Sequence, residues 1–446
     1  MQKILRTLLF SSLLLTLIAC APAAAPLGTT QTSAPRTAAP SATLTTAAPS
    51  LDAQLGPLSC ALNEFDSKCA YAQNQMLAIT IGTRVAGTPN SDRAADYLTQ
   101  QFASFGYKVE KQEFTFEPWE DLGTKLQYTS QVTGELESQP IQLSPAGHID
   151  AQVVAVDGTG DVSDFAKVDV KGNIALVQRG ALQFYDKAKN AADAGAIAIL
   201  IYNNTPPLFG GTMRERVSIP TIAISGREGQ RLLDAMRQGA VKVKIDSDTQ
   251  VAKKVAHNII ATKTGTNGKT LVLGGHYDSV AAGPGAVDNG TGTAVLLELA
   301  RVLSKRETKS TLIFIGFDAE EYGLIGSRYY VDQLSEAERG KITAMLNFDM
   351  MGGGKGPLGL GGDGAIGLAA RKAASDLGIE SRNFQLGNNS GSDHQSFTRL
   401  GIDAVFFVRD YDLLHTPQDA MDQVREDFLA EAGKVGLKTI LDLDIK

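Results

Sequence analysis

Five side chains in this sequence have the types and positions of metal ligands: His276, Asp288, Glu321, Asp349 and His415, each at or just beyond the end of an apolar run. Asp288, Glu321 and Asp349 bring three negative charges, which two divalent ions and one hydroxide carry close to neutrality, as a half-buried cluster requires. Neutral imidazoles from His276 and His415 complete a mixed nitrogen and oxygen set, suited best to zinc and also to manganese or cobalt. A pocket for two such ions activates water, so the expected chemistry is hydrolysis. Asp278, two residues after His276, is placed to accept the other ring N–H and fix the tautomer. The adjacent pair Glu320-Glu321 separates two roles. Neighbouring side chains at a strand end point in different directions, so one carboxylate can bind metal while the other stays free as a general base.

The elements that must position these groups are legible in the apolar runs. Leu271 to Gly275 leads into His276, Thr311 to Phe317 into Asp318-Ala319-Glu320-Glu321, and Ala344 to Phe348 into Asp349. Ala404 to Val408 precedes the loop carrying His415. Short, nearly continuous apolar runs alternating with helical patterns such as Gly292 to Ser304 predict strands buried on both faces of a parallel sheet. The fold class is therefore α/β, a mixed, mostly parallel sheet flanked by helices. In such sheets ligands bind outside the carboxyl ends of the strands, which brings the polar residues to one crevice. Asp288 precedes the Gly292 helix in the Gly-rich loop Gly283 to Gly290.

In order along the chain, Gly275-His276-Tyr277-Asp278-Ser279, Val287 to Gly292, Asp318 to Ser327, Asn347 to Gly352 and His415-Thr416-Pro417 resemble the successive motifs of the M28 family of co-catalytic zinc aminopeptidases. The segment Gly82 to Pro89 and the helix predicted from Ser91 to Phe105 resemble that family's opening. The resemblance implies a zinc-exopeptidase-like fold and two Zn2+ per chain. One ion would be held by His276 and Asp349, the other by Glu321 and His415, with Asp288 bridging and Glu320 as general acid/base. It also implies a cis peptide at Asp288-Asn289, a common feature of the family. Ser390 to Phe397 is similar to a family loop near the substrate pocket, and His394 within it is not assigned as a ligand. The chain departs from the pattern at Leu414, where many family members carry an aromatic residue that stabilises the oxyanion. Tyr411, three residues earlier, is either a substitute or a residue packed on the surface.

Residues 125–250 read as an insertion. Gly172 to Gly180 forms a strand and turn, an Ala-rich helix follows from Tyr185 to Ala194, and Ala196 to Tyr202 and Ile219 to Ile224 form further strands. The segment resembles the protease-associated (PA) domain, which implies a smaller α/β unit placed as a lid or flank near the cleft. Asp186, Lys187 and Arg179 within it are expected to be structural or solvated. The peptidase domain is thus expected in two parts, 58–124 and 251–446, closed by an amphipathic helix over 427–442.

Lys3 and Arg6, the apolar stretch Leu8 to Leu17, and Leu17-Ile18-Ala19-Cys20 resemble a bacterial lipoprotein signal peptide over 1–20, with Cys20 the lipidated residue. Residues 21–57, rich in Ala, Pro, Thr and Ser, have the composition of a linker. Export to the cell envelope or beyond is then expected, with membrane attachment only through that lipid, and Cys60 and Cys69 are expected to pair as a disulfide.

At 446 residues and 43% hydrophobic content the chain can bury one large core and a smaller one. A net charge of −7 without a basic stripe gives no support to nucleic-acid binding. Gly352 to Gly356 lacks phosphate-loop spacing and is read as a loop after Asp349. The favoured reading is a two-zinc aminopeptidase acting on peptides. Its rivals are a carboxypeptidase of the same superfamily, needing a cation such as Arg328, Arg382 or Arg409 for the substrate carboxylate, a glutaminyl cyclase, and a receptor-like relative that has lost ligands.

Overall fold

A computed structural model describes residues 60–129, 134–387 and 390–444. The proposed lipidation residue Cys20, the signal peptide over 1–20 and the linker over 21–57 lie outside them. No helix among the described residues is long and apolar enough to cross a membrane.

Two eight-stranded sheets organise the chain. The first runs, edge to edge, through Lys108–Phe116, Lys254–Lys263, Thr311–Phe317, Thr270–His276, Ile342–Phe348, Ala404–Asp410, Lys355–Gly361 and Ser381–Arg382. Its four central strands, Thr311–Phe317, Thr270–His276, Ile342–Phe348 and Ala404–Asp410, are mutually parallel. Antiparallel partners flank them, Lys254–Lys263 on one side and Lys355–Gly361 on the other. Every residue of Thr270–His276 is buried, as expected of a strand covered on both faces. The helix Gly292–Ser304 buries Val295, Leu296, Leu299, Ala300 and Leu303, and with Phe102, Phe314, Phe348 and the closing helix Glu426–Asp444 it forms the main core. The parallel register brings the carboxyl ends of the central strands level, so the residues that follow them meet at one rim.

The second sheet begins at Trp119–Tyr128 and ends its excursion at Lys242–Val251, two strands paired antiparallel at the root of the insertion. Beyond them Gly147–Ala155, Ile174–Gln178, Ala198–Tyr202 and Thr221–Ile224 are parallel, with the helix Phe184–Asp193 between two of them. This unit has its own apolar clusters, one around Leu176, Leu200 and Ile245 and another around Val177, Ile199 and Phe209. The root is tied to the first sheet by Lys254, which donates to Glu120 of Trp119–Tyr128.

The amino-terminal described segment is fastened to the main unit. Cys60 and Cys69 are joined in a disulfide. Glu298 accepts the Asp66 N–H and is clasped by Arg301, which also donates to the carbonyls of Ala61 and Glu64.

Candidate metal centre and active site

The structure brings all five predicted ligands to the carboxyl ends of the central strands, where they form two groups of three sharing Asp288. In the first group His276 Nε2 lies 3.2 Å from Asp288 Oδ1 and 3.4 Å from Asp349 Oδ1. In the second His415 Nε2 lies 3.3 Å from Asp288 Oδ2 and 3.0 Å from Glu321 Oε2. The bridging carboxylate therefore offers one oxygen to each group. Ligand atoms about 2.0–2.1 Å from a tetrahedral zinc stand about 3.3 Å from one another, the spacing found here.

The electrostatics make the same demand. Glu321 Oε1 and Asp349 Oδ1 are buried without a hydrogen-bond partner, an expensive arrangement unless a cation meets them. Burial, reinforced by Asp288, pushes Glu321 up to about 7 against the pull of His415. Burial would depress His415, yet its hydrogen bonds to Asp288 and Glu321 carry it up to about 11. Two buried carboxylate oxygens still lack a donor despite the imidazoles, and the donor set fits divalent ions.

Glu320 stands outside both groups and is 9% exposed. Burial, with Asp393, Glu321 and Asp349 nearby and His276 opposing, holds its carboxyl well above the usual carboxylate range. Asp278 is fully buried below it, accepting the N–H of Glu320 at Oδ1 and of Glu321 at Oδ2. Its Oδ1 also lies 3.4 Å from His276 Nδ1, close enough for an ion contact but without the alignment of a hydrogen bond. Asp278 thus orients the two glutamates through their backbone as well as facing the histidine.

Several residues that the sequence did not single out hold the ligands. Asn347 donates to Ser392, and Ser392 donates to Asp349 Oδ2 at 2.6 Å. Thr293 donates to the carbonyl of His276. Arg84, fully buried, donates to the carbonyls of Tyr277, Pro284 and Gly285. Burial lowers it to about 10 against the pull of Asp278 and Asp419, so at neutral pH it is a cation among carboxylates. The signal for it in the sequence is a lone charged residue in the otherwise uncharged segment Gly82 to Pro89, which resembles the family's opening. The backbone is unusual here too: Ala319, Leu324, Met350 and His415 adopt positive φ between 57° and 61°, and Asp288-Asn289 is cis. Left-handed non-glycine residues cost energy and collect where a structure needs a particular side-chain direction.

The remaining predicted residues have other places. Tyr411 neither reaches the ligands nor packs on the surface: it is 6% exposed and donates to Asp419. Leu414 packs against the main core. His394 belongs to neither group and stacks on Phe406, 4.8 Å between ring centres. Arg409 is buried against Glu431 and the carbonyls of Met351 and Gly356, and Arg382 pairs with Asp410. Arg328, in the helix Ile325–Asp332, faces Arg399 and Asp332. Arg382 and Arg409 are thus engaged by the protein's own carboxylates.

Paired acid-rich triads at the carboxyl rim of a parallel sheet, with a spare buried carboxylate beside them, define a metal-dependent hydrolase. The profile of peptidase family M28 matches residues 258–440, and that of the PA domain residues 149–232. Aminopeptidase YwaD of Bacillus subtilis (strain 168) is 33% identical over 393 residues, covering 83% of this chain and 83% of its own. Among solved structures, an aminopeptidase from Aneurinibacillus sp. strain AM-1 superposes with a TM-score of 0.73 at 35% identity, over 85% of this chain and 94% of that one. A zinc aminopeptidase from Bacillus subtilis superposes with a TM-score of 0.71 at 30% identity, over 85% and 95% of the two chains. The chain belongs to peptidase family M28, with a PA domain inserted, and is a hydrolase of peptide bonds.

Proposed function

We propose that this chain is a co-catalytic two-zinc aminopeptidase that removes N-terminal residues from peptides. The observation that carries the reading is the sharing of Asp288 between two triads whose contacts run from 3.0 to 3.4 Å. His276 and Asp349 would hold one ion, Glu321 and His415 the other, with Asp288 contributing to each. Zinc bound there would polarise the scissile carbonyl and acidify water. Glu320, free of both triads, takes the proton from the attacking water and delivers it to the leaving amine. Its burial suits that task, because a carboxyl raised above its usual range is a stronger base when ionised.

The direction of attack is supported by the cations: Arg382 and Arg409 are occupied by Asp410 and Glu431 rather than left for a substrate's C-terminal carboxylate. The relatives' names, both aminopeptidases, point the same way. We also propose the division into 58–124, 125–250 and 251–446, and export with a lipid anchor at Cys20. The lipobox-like Leu17 to Cys20 supports the anchor, and the Cys60–Cys69 disulfide suits an oxidising compartment.

Matched peptides with free or acetylated N-termini and free or amidated C-termini test the activity, with and without chelator. Turnover should require the free N-terminus, survive amidation and vanish on chelation. Shortening of the acetylated peptide from its C-terminus would exclude an aminopeptidase.

A further inference from the structure

Of the five ligands, Asp288 and His415 have the least regular support. His276 ends a strand, Asp349 follows one directly, and Glu321 stands in the turn just beyond one, its backbone N–H held by the buried Asp278. Asp288 sits in the turn Ala286–Thr291 at non-helical φ −108° and ψ 98°. His415 sits in a loop at φ 58°, with its side chain 37% exposed. Yet these two must meet within 3.3 Å for the second triad to exist.

The loop before Asp288 is gripped on both polar sides of its backbone. Its carbonyls are taken by the opening segment: Arg84 donates to Pro284 and Gly285, and Asn74 donates to Ala286. Its N–H groups are taken by the His415 loop. Asp419 Oδ1 accepts the N–H of Val287 at 2.7 Å, Oδ2 accepts that of Asp288 at 3.0 Å, and the Asp419 carbonyl accepts that of Ala286. Asp419 is itself fixed, because Tyr411 Oη donates to its Oδ1 at 3.1 Å and its own N–H donates to the Thr416 carbonyl. Asp419 is 3% exposed and follows His415 by four residues, so one short segment carries both a ligand and the acceptor that fixes the bridging carboxylate. Charge-assisted bonds to backbone N–H groups are short and directional, and an error of about 1 Å in a ligand atom is enough to spoil a site.

We infer that Asp419, held by Tyr411 and opposed by Arg84 and Asn74, is a positioning residue that sets the second metal triad by locking the His415 loop to the backbone of Asp288. Asp419 touches neither ion nor substrate in this scheme; it acts through Asp288. The first triad depends on it less, since His276 and Asp349 are fixed by strand ends and by Thr293 and Ser392. The inference rests on the two-zinc reading, and its test separates the two.

The experiment strips the full chain with chelator and titrates it with Zn2+ against a chromophoric chelator, following each equivalent. Wild type should take up two equivalents. Asp419→Asn, which keeps the shape but replaces one acceptor by a donor, should bind the first within a few-fold of wild type and the second about 10–100-fold more weakly, the usual effect of losing an outer-shell partner. Tyr411→Phe should weaken the second equivalent by a few-fold and restore wild-type kcat at saturating Zn2+. A positioning role predicts that excess Zn2+ recovers turnover in both variants with little change in KM for peptide. Wild-type affinity for the second equivalent in Asp419→Asn would overturn the inference alone. So would an equal loss of both equivalents tracking a fall in metal-free thermal stability, or a Tyr411→Phe enzyme whose kcat stays low at saturating metal. A wild type that takes up a single equivalent would overturn the two-zinc reading itself.

Discussion

Two crevices in this molecule are built alike and behave differently. In each, parallel strands end at one rim, at His276, Phe317, Phe348 and Asp410 in the first sheet and at Gln178, Tyr202 and Ile224 in the second. At the second rim the polar groups are turned back on the protein. Asn203 donates to Pro207, Ser225 caps its helix by accepting the Glu228 N–H, Lys187 donates to the carbonyls of Thr159 and Gln178, and Arg179 lies over Phe209. At the first rim Glu321 Oε1 and Asp349 Oδ1 are buried with nothing to accept from. Parallel-strand architecture alone therefore does not make a site. Function lies where the fold bears the cost of polar groups left for something else.

The sharpest way to break this contrast is to make each crevice fail in the other's manner. Glu320→Gln should lower kcat by about 10²–10⁴-fold while leaving zinc uptake and thermal stability near wild type, because Glu320 belongs to neither triad. Full turnover in a variant that loads zinc normally would remove Glu320 from the mechanism. Phe209→Ala, in the inserted unit, should do the reverse. It removes a 6%-exposed ring that stacks on Phe184 and carries Arg179, at a cost of about 3–5 kcal/mol of stability, read from denaturant unfolding. Zinc affinity and kcat of the folded enzyme should not change. A loss of zinc affinity in that variant would show that the second crevice supports the first, through contacts such as Lys254 to Glu120.

The smallest expected effect lies at the border. His394 sits in the loop that supplies Ser392, but it packs as a core residue on Phe406. Burial holds it down to about 4, below the roughly 6.5 of an unfolded chain. Between those values the unfolded chain binds a proton that the folded one does not, so stability falls as pH drops from about 6.5 toward 4. His394→Phe keeps the stack and should flatten that fall by about 1–3 kcal/mol, allowing for the partial exposure of the ring. Metal-free unfolding at pH 7 and pH 4.5 decides the matter. Superimposable profiles would show that the ring already titrates normally.

Much of the site was legible because each ligand follows a run that must be a buried strand. The helix predicted over Gly292 to Ser304 and the strand over Thr311 to Phe317 are observed with those bounds. His276, Asp349 and Glu321 were placed by that logic, and the charge of the set foretold the need for cations. What was not legible sits in the loops. Nothing in Gly283 to Gly290 says that Arg84 and Asn74, roughly two hundred residues earlier, take its carbonyls, or that Asp419 takes its N–H groups. Tyr411 shows the limit best. Its position suggested either the oxyanion or the surface, and its hydroxyl went to Asp419.

By itself the sequence determined the parallel α/β sheet and the five candidate ligands at its rim, because apolar periodicity and residue type are local properties that burial reads directly, while the inserted second unit was legible through its resemblance to the PA domain. Tertiary structure alone decided which oxygen of Asp288 faces which group and what holds the two loops in reach of each other. Those are relations between backbone groups far apart in the chain, and a hydrogen bond to a carbonyl or an N–H leaves no trace in the identity of the residue that supplies it.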